Sequence, residues 1–427
     1  MPDNRLITKL LLSSILAISL ANIYLVSCEF YTNYKNKNGI VLQNKQTLGG
    51  DFIAFYTASL LFNNDKLSLY KYDKQKEIQS KLYENIPSDS NFLSFAYPPL
   101  FAFTISPLSN LSFSMAYFLW ITISLILYTT SVLITIKVCE LKRTEALFLI
   151  LTSLGFTPFF LRTLGAGQTG SIGTFLLAVL FVLLIKKKEF ASGLVASLFY
   201  YKPPVFLFLL LSLIITRSKK FTLGFLAGGI PIIILTIILV PGETLTDYIN
   251  ASLEYTYGAE RGGGAVKSVP HKGAGLYALL VTFVPEPITY SRIILGSLFL
   301  VFLYLANKKS VFIRNIKDKH EEKIFYSFLM STSIALSIHI IDYDLCMLIV
   351  PFIASLTSLY NNKRYSSLNL GVLIVLFFYL DIAIPDIKQE NFILSSLSIL
   401  SVIWLFYISV LALRESKFRL ISTKHTS

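Results

Sequence analysis

Uncharged apolar stretches long enough to cross a bilayer recur along the whole chain, and they exclude an ordinary water-soluble fold before any motif is considered. Residues 10–27, LLLSSILAISLANIYLVS, hold no charged residue, and similar runs continue to the C-terminal region. A hydrocarbon core asks for roughly 20 apolar residues per helix. Only 15% of the 427 residues are charged, against about 25% in a typical soluble protein. The chain reads as an all-α polytopic integral membrane protein.

The formal charge of +13 does not point to nucleic acid. The lysines and arginines fall in short clusters between apolar runs, the distribution of cytoplasmic loops in a multi-pass protein. Arg5 and Lys9 precede span one, about 8–28, so the N-terminus is expected in the cytoplasm. LVSC, ending at Cys28, resembles a lipoprotein cleavage box, but such short motifs match by chance and the segment is read as a plain first membrane helix. Cys139 falls in a basic loop and Cys346 within a span, so no disulfide pair is evident.

The remaining spans alternate between basic and non-basic ends. A mixed-charge outer loop, 29–92, is expected to carry short surface helices, ending near Pro87. YPPLFAFTISPL, 97–108, is apolar but short and proline-rich, which suits a re-entrant or interfacial segment sheltered from lipid. Spans follow at about 112–136, 145–162 and 171–185, then two half-length pieces flank YYKPP within 189–216. A span at 221–241 leads to a polar outer loop, 242–273, holding AERGGGAVKSVPHKGAG. The segment 274–284 is short. Further spans are expected at 289–306, 324–338, 345–359, 366–380 and 392–413, with the charged stretch 307–323 between the first two. This makes about twelve transmembrane helices in one domain, 1–427, with both termini cytoplasmic. No pair of similar halves marks the chain as a two-repeat transporter.

Topology drawn from lysine and arginine alone sends Asp51, FAYPP, GAGQTG, YYKPP, VPHKGAG and HIIDYD to the outer side, or to membrane depth near it. Ionisable residues at membrane depth are costly and therefore functional candidates. Each also has an ordinary reading. Asp51 in TLGGDFIAFY can cap the helix that follows, and a cap can also serve as a base. Lys202 and Arg162 can snorkel towards headgroups. His339 can be a satisfied interior histidine, although Asp342 and Asp344 follow within five residues. His271 and Lys272 can lie in a solvated linker, or in a lid over a site.

A carboxylate can take the proton from an attacking hydroxyl. Cations can stabilise a departing phosphate through charge-assisted hydrogen bonds. Together they suit sugar transfer from a lipid-linked phosphate. No nucleotide-binding glycine loop or Walker motif is present, there is no HExxH, and HIIDYD alone does not specify a metal. A transporter or flippase of a lipid-linked or small polar substrate would use a similar outward cavity and is the alternative from another class.

The segments GGDFIAFYTASLLF, LSLYKYD, FAYPPLFAFTISPLSNL, GAGQTGSIGTFLLAVLF, SGLVASLFYYKPPVFLFLL and HIIDYDLCMLIVPF occur in an order that resembles glycosyltransferase family 87. Its members resemble polyprenol-phosphate-mannose-dependent α-mannosyltransferases of the GT-C superfamily. The similarity runs from about residue 49 to about 355. It implies a GT-C-type bundle in the inner (plasma) membrane, with its active site on the periplasmic or extracellular side. It implies Asp51 as general base towards an acceptor hydroxyl on a glycolipid or glycan. It also implies a polyprenyl-phosphate sugar donor, inversion at the anomeric carbon, and no cofactor or obligatory metal. Lys202, with Arg162 nearby, would face the donor phosphate. Tyr97 and Gln168 would line the sugar and lipid groove, and His339 and Asp342 the opposite wall. The match is poor over 255–273, so Arg261, His271 and Lys272 inherit little from it. Mannose follows from characterised relatives, another lipid-linked hexose or pentose fits equally well, and a non-catalytic member of the family also fits.

Overall fold

The computed structural model describes residues 4–84, 92–257, 274–283, 287–316, 318–380, 387–389, 392–394 and 396–424. The first apolar run becomes one continuous helix, α1 (Asn4–Lys35), that passes unbroken through Cys28. After it come α2 (Phe52–Asn64), α3 (Tyr72–Leu82), the short α4 (Pro99–Ile105), α5 (Phe113–Cys139) and α6 (Arg143–Leu154). A π-helical turn, Pro158–Leu164, leads to α7 (Gly170–Ile185). The YYKPP region is indeed two short helices, α8 (Glu189–Ser197) and α9 (Pro203–Thr216), with Lys202 between them. Next are α10 (Lys219–Leu239), α11 (Gly242–Tyr257), α12 (Leu276–Phe283), α13 (Pro287–Ile316) and α14 (Lys319–Ala335). A 3-10 helix, Asp342–Leu348, runs into α15 (Ile349–Asn361), followed by α16 (Tyr365–Tyr379) and α17 (Ser396–Lys424). A small hairpin, β1 (Ile387–Gln389) with β2 (Phe392–Leu394), pairs Ile387 with Leu394.

Among the described residues six segments are long and apolar enough to cross a membrane, and four shorter apolar helices accompany them. The protein is thus a predominantly helical membrane protein. α14 is its axis: every side chain from Glu321 to Ala335 is buried, between α9, α15 and α17. Its serines and threonines permit close approach and hydrogen-bond outward, as small polar residues do between membrane helices. Ser333 Oγ donates to Val205 O at 2.6 Å, and Ser331 Oγ accepts from Trp404 Nε1 at 2.9 Å. α1 runs parallel to α16, with Thr8 Oγ1 on Asn369 Oδ1 at 2.6 Å near one end and Asn22 Nδ2 on Tyr379 O at 3.0 Å further along.

Five expectations change. The region 29–92 is not simply an outer loop: α1 takes its first residues, and α2 is buried along almost its entire length. The charges are confined to flanking residues, while the aromatic side of α2 packs on α5, Phe52 meeting the rings of Phe113, Tyr117 and Trp120 within 6.0 Å. The polar segment 242–273 begins as a helix, α11, because Thr244, Leu245, Tyr248 and Ala251 recur at helical spacing and pack inward. The charged stretch 307–323 is largely helical, in α13 and α14, and buries one ion pair: Lys309 Nζ lies 3.0 Å from Glu321 Oε2, both nearly fully buried. Cys139 ends α5 in a buried position, and residues 392–394 are strand, so the last helix starts at Ser396.

The basic clusters and the outer candidates separate to opposite ends of the bundle. Lys187 with Glu322, Arg217 with Glu189, and Lys319 with Glu140 gather at one end. Asp51, Gln168, Lys202 and His339 gather at the other, with the sixteen-residue α7 between.

Candidate functional site

Two glycine-rich turns build the first wall. Gly49 and Gly50 take positive φ, +72° and +49°, and Gly167 takes +62°, a region that glycine enters without steric cost. The space is equally demanding. A Cβ on Gly49 would stand 2.5 Å from the Tyr117 ring, and one on Gly167 would stand 2.7 Å from Phe52 Cβ. Trp120 Nε1 fastens the second turn by donating to Gly167 O at 2.8 Å. The turns therefore nest together, and Gln168 Nε2 donates to Asp51 Oδ2. Asp51 occupies the N-cap position of α2 but makes no side-chain cap bond. Its carboxylate turns to Gln168 instead, which overturns the capping expectation.

The second wall is the 3-10 helix Asp342–Leu348 against the start of α7. A Cβ on Gly170 would meet Tyr343 O at 2.5 Å, and one on Gly173 would meet Met347 Sδ at 2.5 Å, so these glycines set the approach. Lys202 Nζ reaches across to both oxygens of Asp344, at 2.7 and 2.6 Å. Asp344 also accepts from Ile341 N at 3.2 Å. The Lys202 ammonium lies 4.7 Å from the Tyr343 ring centre and 5.9 Å from that of Tyr97. An ammonium has three donors. Two are directed at Asp344, which leaves one for a group in the cleft.

Asp51, Tyr97, Gln168, Lys202 and His339 line one open cleft, together with Phe55, the segment 93–98, Tyr201, Tyr343 and the α11 residues Tyr248 and Ser252. Tyr97 Oη sits 3.0 Å from Thr169 Oγ1 and 3.5 Å from Gln168 Oε1. His339 lies in the turn after α14, outside the apolar helices. Burial, with Lys202 nearby, pushes its imidazole down to about 3, so it is neutral at physiological pH. Arg162 and Asp342 are not among the lining residues and face each other at 3.9 Å, partly exposed. His271, Lys272 and Arg261 lie outside the described residues. Among the described residues no group of three or more His, Cys, Asp or Glu is placed to hold a metal.

Asp344 and the α11 pair Tyr248 and Ser252 went unselected by the sequence analysis. Asp344 and Asp342 share one short motif, and a 3-10 turn sends residues two apart in different directions. Only its position at the third residue of that turn, where an acid bonds back to the preceding N–H, singles out Asp344. Nothing in the sequence announces that Tyr248 and Ser252 return to the cleft.

The cleft brings together a group able to take a proton and a cation able to bind an anion. One carboxylate is hydrogen-bonded and oriented, one ammonium is fixed with a donor to spare, and aromatic side chains line the walls. Residues 95–311 match the sequence model of glycosyltransferase family 87. No curated protein and no solved structure matches the chain.

Proposed function

Since this chain belongs to glycosyltransferase family 87 and is a helical membrane protein, we propose that it moves a sugar, mannose by its resemblance, from a polyprenyl-phosphate-linked donor to an acceptor hydroxyl. Asp51 is the general base. It takes the proton of the acceptor hydroxyl as that oxygen attacks the anomeric carbon from the face opposite the phosphate. The glycosidic bond forms, the C–O bond to the phosphate breaks with inversion, and the polyprenyl phosphate leaves with the electron pair. Lys202 offers its remaining N–H to the departing phosphate, where charge-assisted bonds are strongest. Gln168 holds Asp51 in line, and Tyr97 and His339 shape the cavity. No cofactor or metal is assigned a role.

The same reading puts the cleft on the periplasmic or extracellular side of the inner membrane, with both termini cytoplasmic and about twelve crossings in a single domain. The basic end of the bundle supports this orientation. The carrying observation is that the Gln168-bonded carboxylate of Asp51 shares one cleft with Lys202.

The test uses purified protein in lipid nanodiscs with radiolabelled polyprenyl-phosphate sugars and a pool of glycan acceptors. Wild type should form a new glycoside, and Asp51→Asn should lower the rate by 10²–10⁴-fold, the usual worth of a general base. Retention of more than about a tenth of the activity would refute the assignment of the base.

A further inference from the structure

One wall of the cleft is a strip of main chain held from a single side. Gln75 and Gln79, one turn apart on α3, are both buried, 0% and 2% exposed. Gln79 takes both backbone groups of Leu93: its Nε2 donates to Leu93 O at 2.7 Å, and its Oε1 accepts from Leu93 N at 3.2 Å. Gln75 Oε1 accepts from Phe95 N at 2.8 Å, and its Nε2 donates to Leu69 O at 2.7 Å. Tyr70 Oη then donates to Tyr97 O at 2.7 Å. Every second residue, 93, 95 and 97, is thereby tied to the same side. The dimensions agree. Four residues of helix rise about 6 Å, and two residues of extended chain rise about 6.6 Å. Glutamines at i and i+4 therefore act as the neighbouring strand for this strip.

In an extended strip the intervening residues turn their main-chain groups to the other edge. Here these are Ser94 and Ala96, which line the cleft with the rest of the segment 93–98. Among the described residues no hydrogen bond engages the N–H or C=O of either. The edge ends at Tyr97, whose hydroxyl meets Gln168, the residue bonded to Asp51.

We propose that the main-chain edge at Ser94 and Ala96 is the acceptor subsite, hydrogen-bonding the hydroxyls of a glycan and directing one of them to Asp51. This rests on the transfer reaction proposed above. A sugar hydroxyl both donates and accepts, which suits an edge offering N–H and C=O side by side. A peptide strand would need a longer edge, and this one stops at Pro98, which has no N–H.

Two measurements on the full chain in nanodiscs test the subsite. In the first, polyprenyl-phosphate mannose is the donor and octyl α-mannoside the acceptor, and Ala96→Pro removes one edge N–H where no helix is interrupted. The acceptor KM should rise about tenfold relative to the donor KM, the worth of one good hydrogen bond. If the ratio of the two KM values stays put, the subsite is refuted. The second needs no variant: amide hydrogen exchange across 92–97 in wild type, with octyl glycosides of mannose, glucose and galactose. At least one should slow exchange there, whereas no slowing, or slowing only by an added peptide, overturns the inference. Slowed exchange without any sugar transfer would refute the reaction and support the subsite, so the two failures are separable.

Discussion

Lys202 and Asp344 form an ion pair that is 5% and 0% exposed, and that burial decides what substitution does. Removing one member of a buried pair strands the other, at about 3–5 kcal/mol, while replacing both with apolar residues of similar size is often tolerated. Lys202→Met and Asp344→Leu should each lower the melting temperature markedly in detergent. The double variant should regain most of that loss yet transfer no sugar. Additive losses in the double would show that the two are energetically independent. His339 has its own signature. Its pKa falls from an ordinary value near 6.5 to about 3 in the folded protein, so below pH 6.5 the unfolded chain binds a proton that the folded one refuses. Its contribution to stability is complete above pH 6.5 and erodes as pH falls towards 3. Melting temperatures from pH 7 to 5 should therefore fall less in His339→Gln than in wild type, and equal slopes would contradict the assignment. At this scale Asp51, Lys202 and His339 stand out as ionisable residues in apolar sequence, while Tyr97 and Gln168 follow from the family resemblance. Their partners were not, since Gln168 lies 117 residues from Asp51 and Asp344 lies 142 from Lys202.

Between elements, glycine controls how closely helices approach. α8 and α10 run side by side, and a Cβ on Gly193 would stand 2.1 Å from Phe221 O, while one on Gly224 would stand 2.1 Å from Phe190 O. Gly224 and Gly228 are four apart, the small-residue spacing of close membrane-helix packing. Gly193→Val should force the pair apart and destabilise the protein by about 1–3 kcal/mol. Gly229→Ala, on the same helix with nothing within 4 Å of its Cβ, should leave stability unchanged or raise it by up to about 1 kcal/mol. Equal effects of the two would discount the packing explanation. The broken helix at YYKPP was legible because two prolines follow Lys202 and forbid continuation. α2 and α11 were not, since a short apolar or amphipathic run looks the same whether it lies on a surface or inside a bundle.

For the whole molecule, the separation of the basic end from the cleft end makes a topological statement. In spheroplasts, a membrane-impermeant thiol reagent should label Lys74→Cys on α3 from outside and label Lys219→Cys on α10 only after permeabilisation, in a background lacking the native cysteines. The reverse pattern would put the cleft in the cytoplasm. The amino-acid order alone determined the class of this protein and several of its apolar spans, because hydrophobic length is a local property. It also determined that carboxylate, amide and ammonium groups would meet at one end. Only the tertiary structure decided which of them touch: that Asp51 bonds Gln168 rather than its own helix, that Lys202 pairs with Asp344, and that Arg162 and Asp342 stand aside. Those outcomes depend on glycine turns nesting to within van der Waals contact and on buried charges finding partners across more than a hundred residues. Neither condition leaves a periodic or compositional trace in the chain.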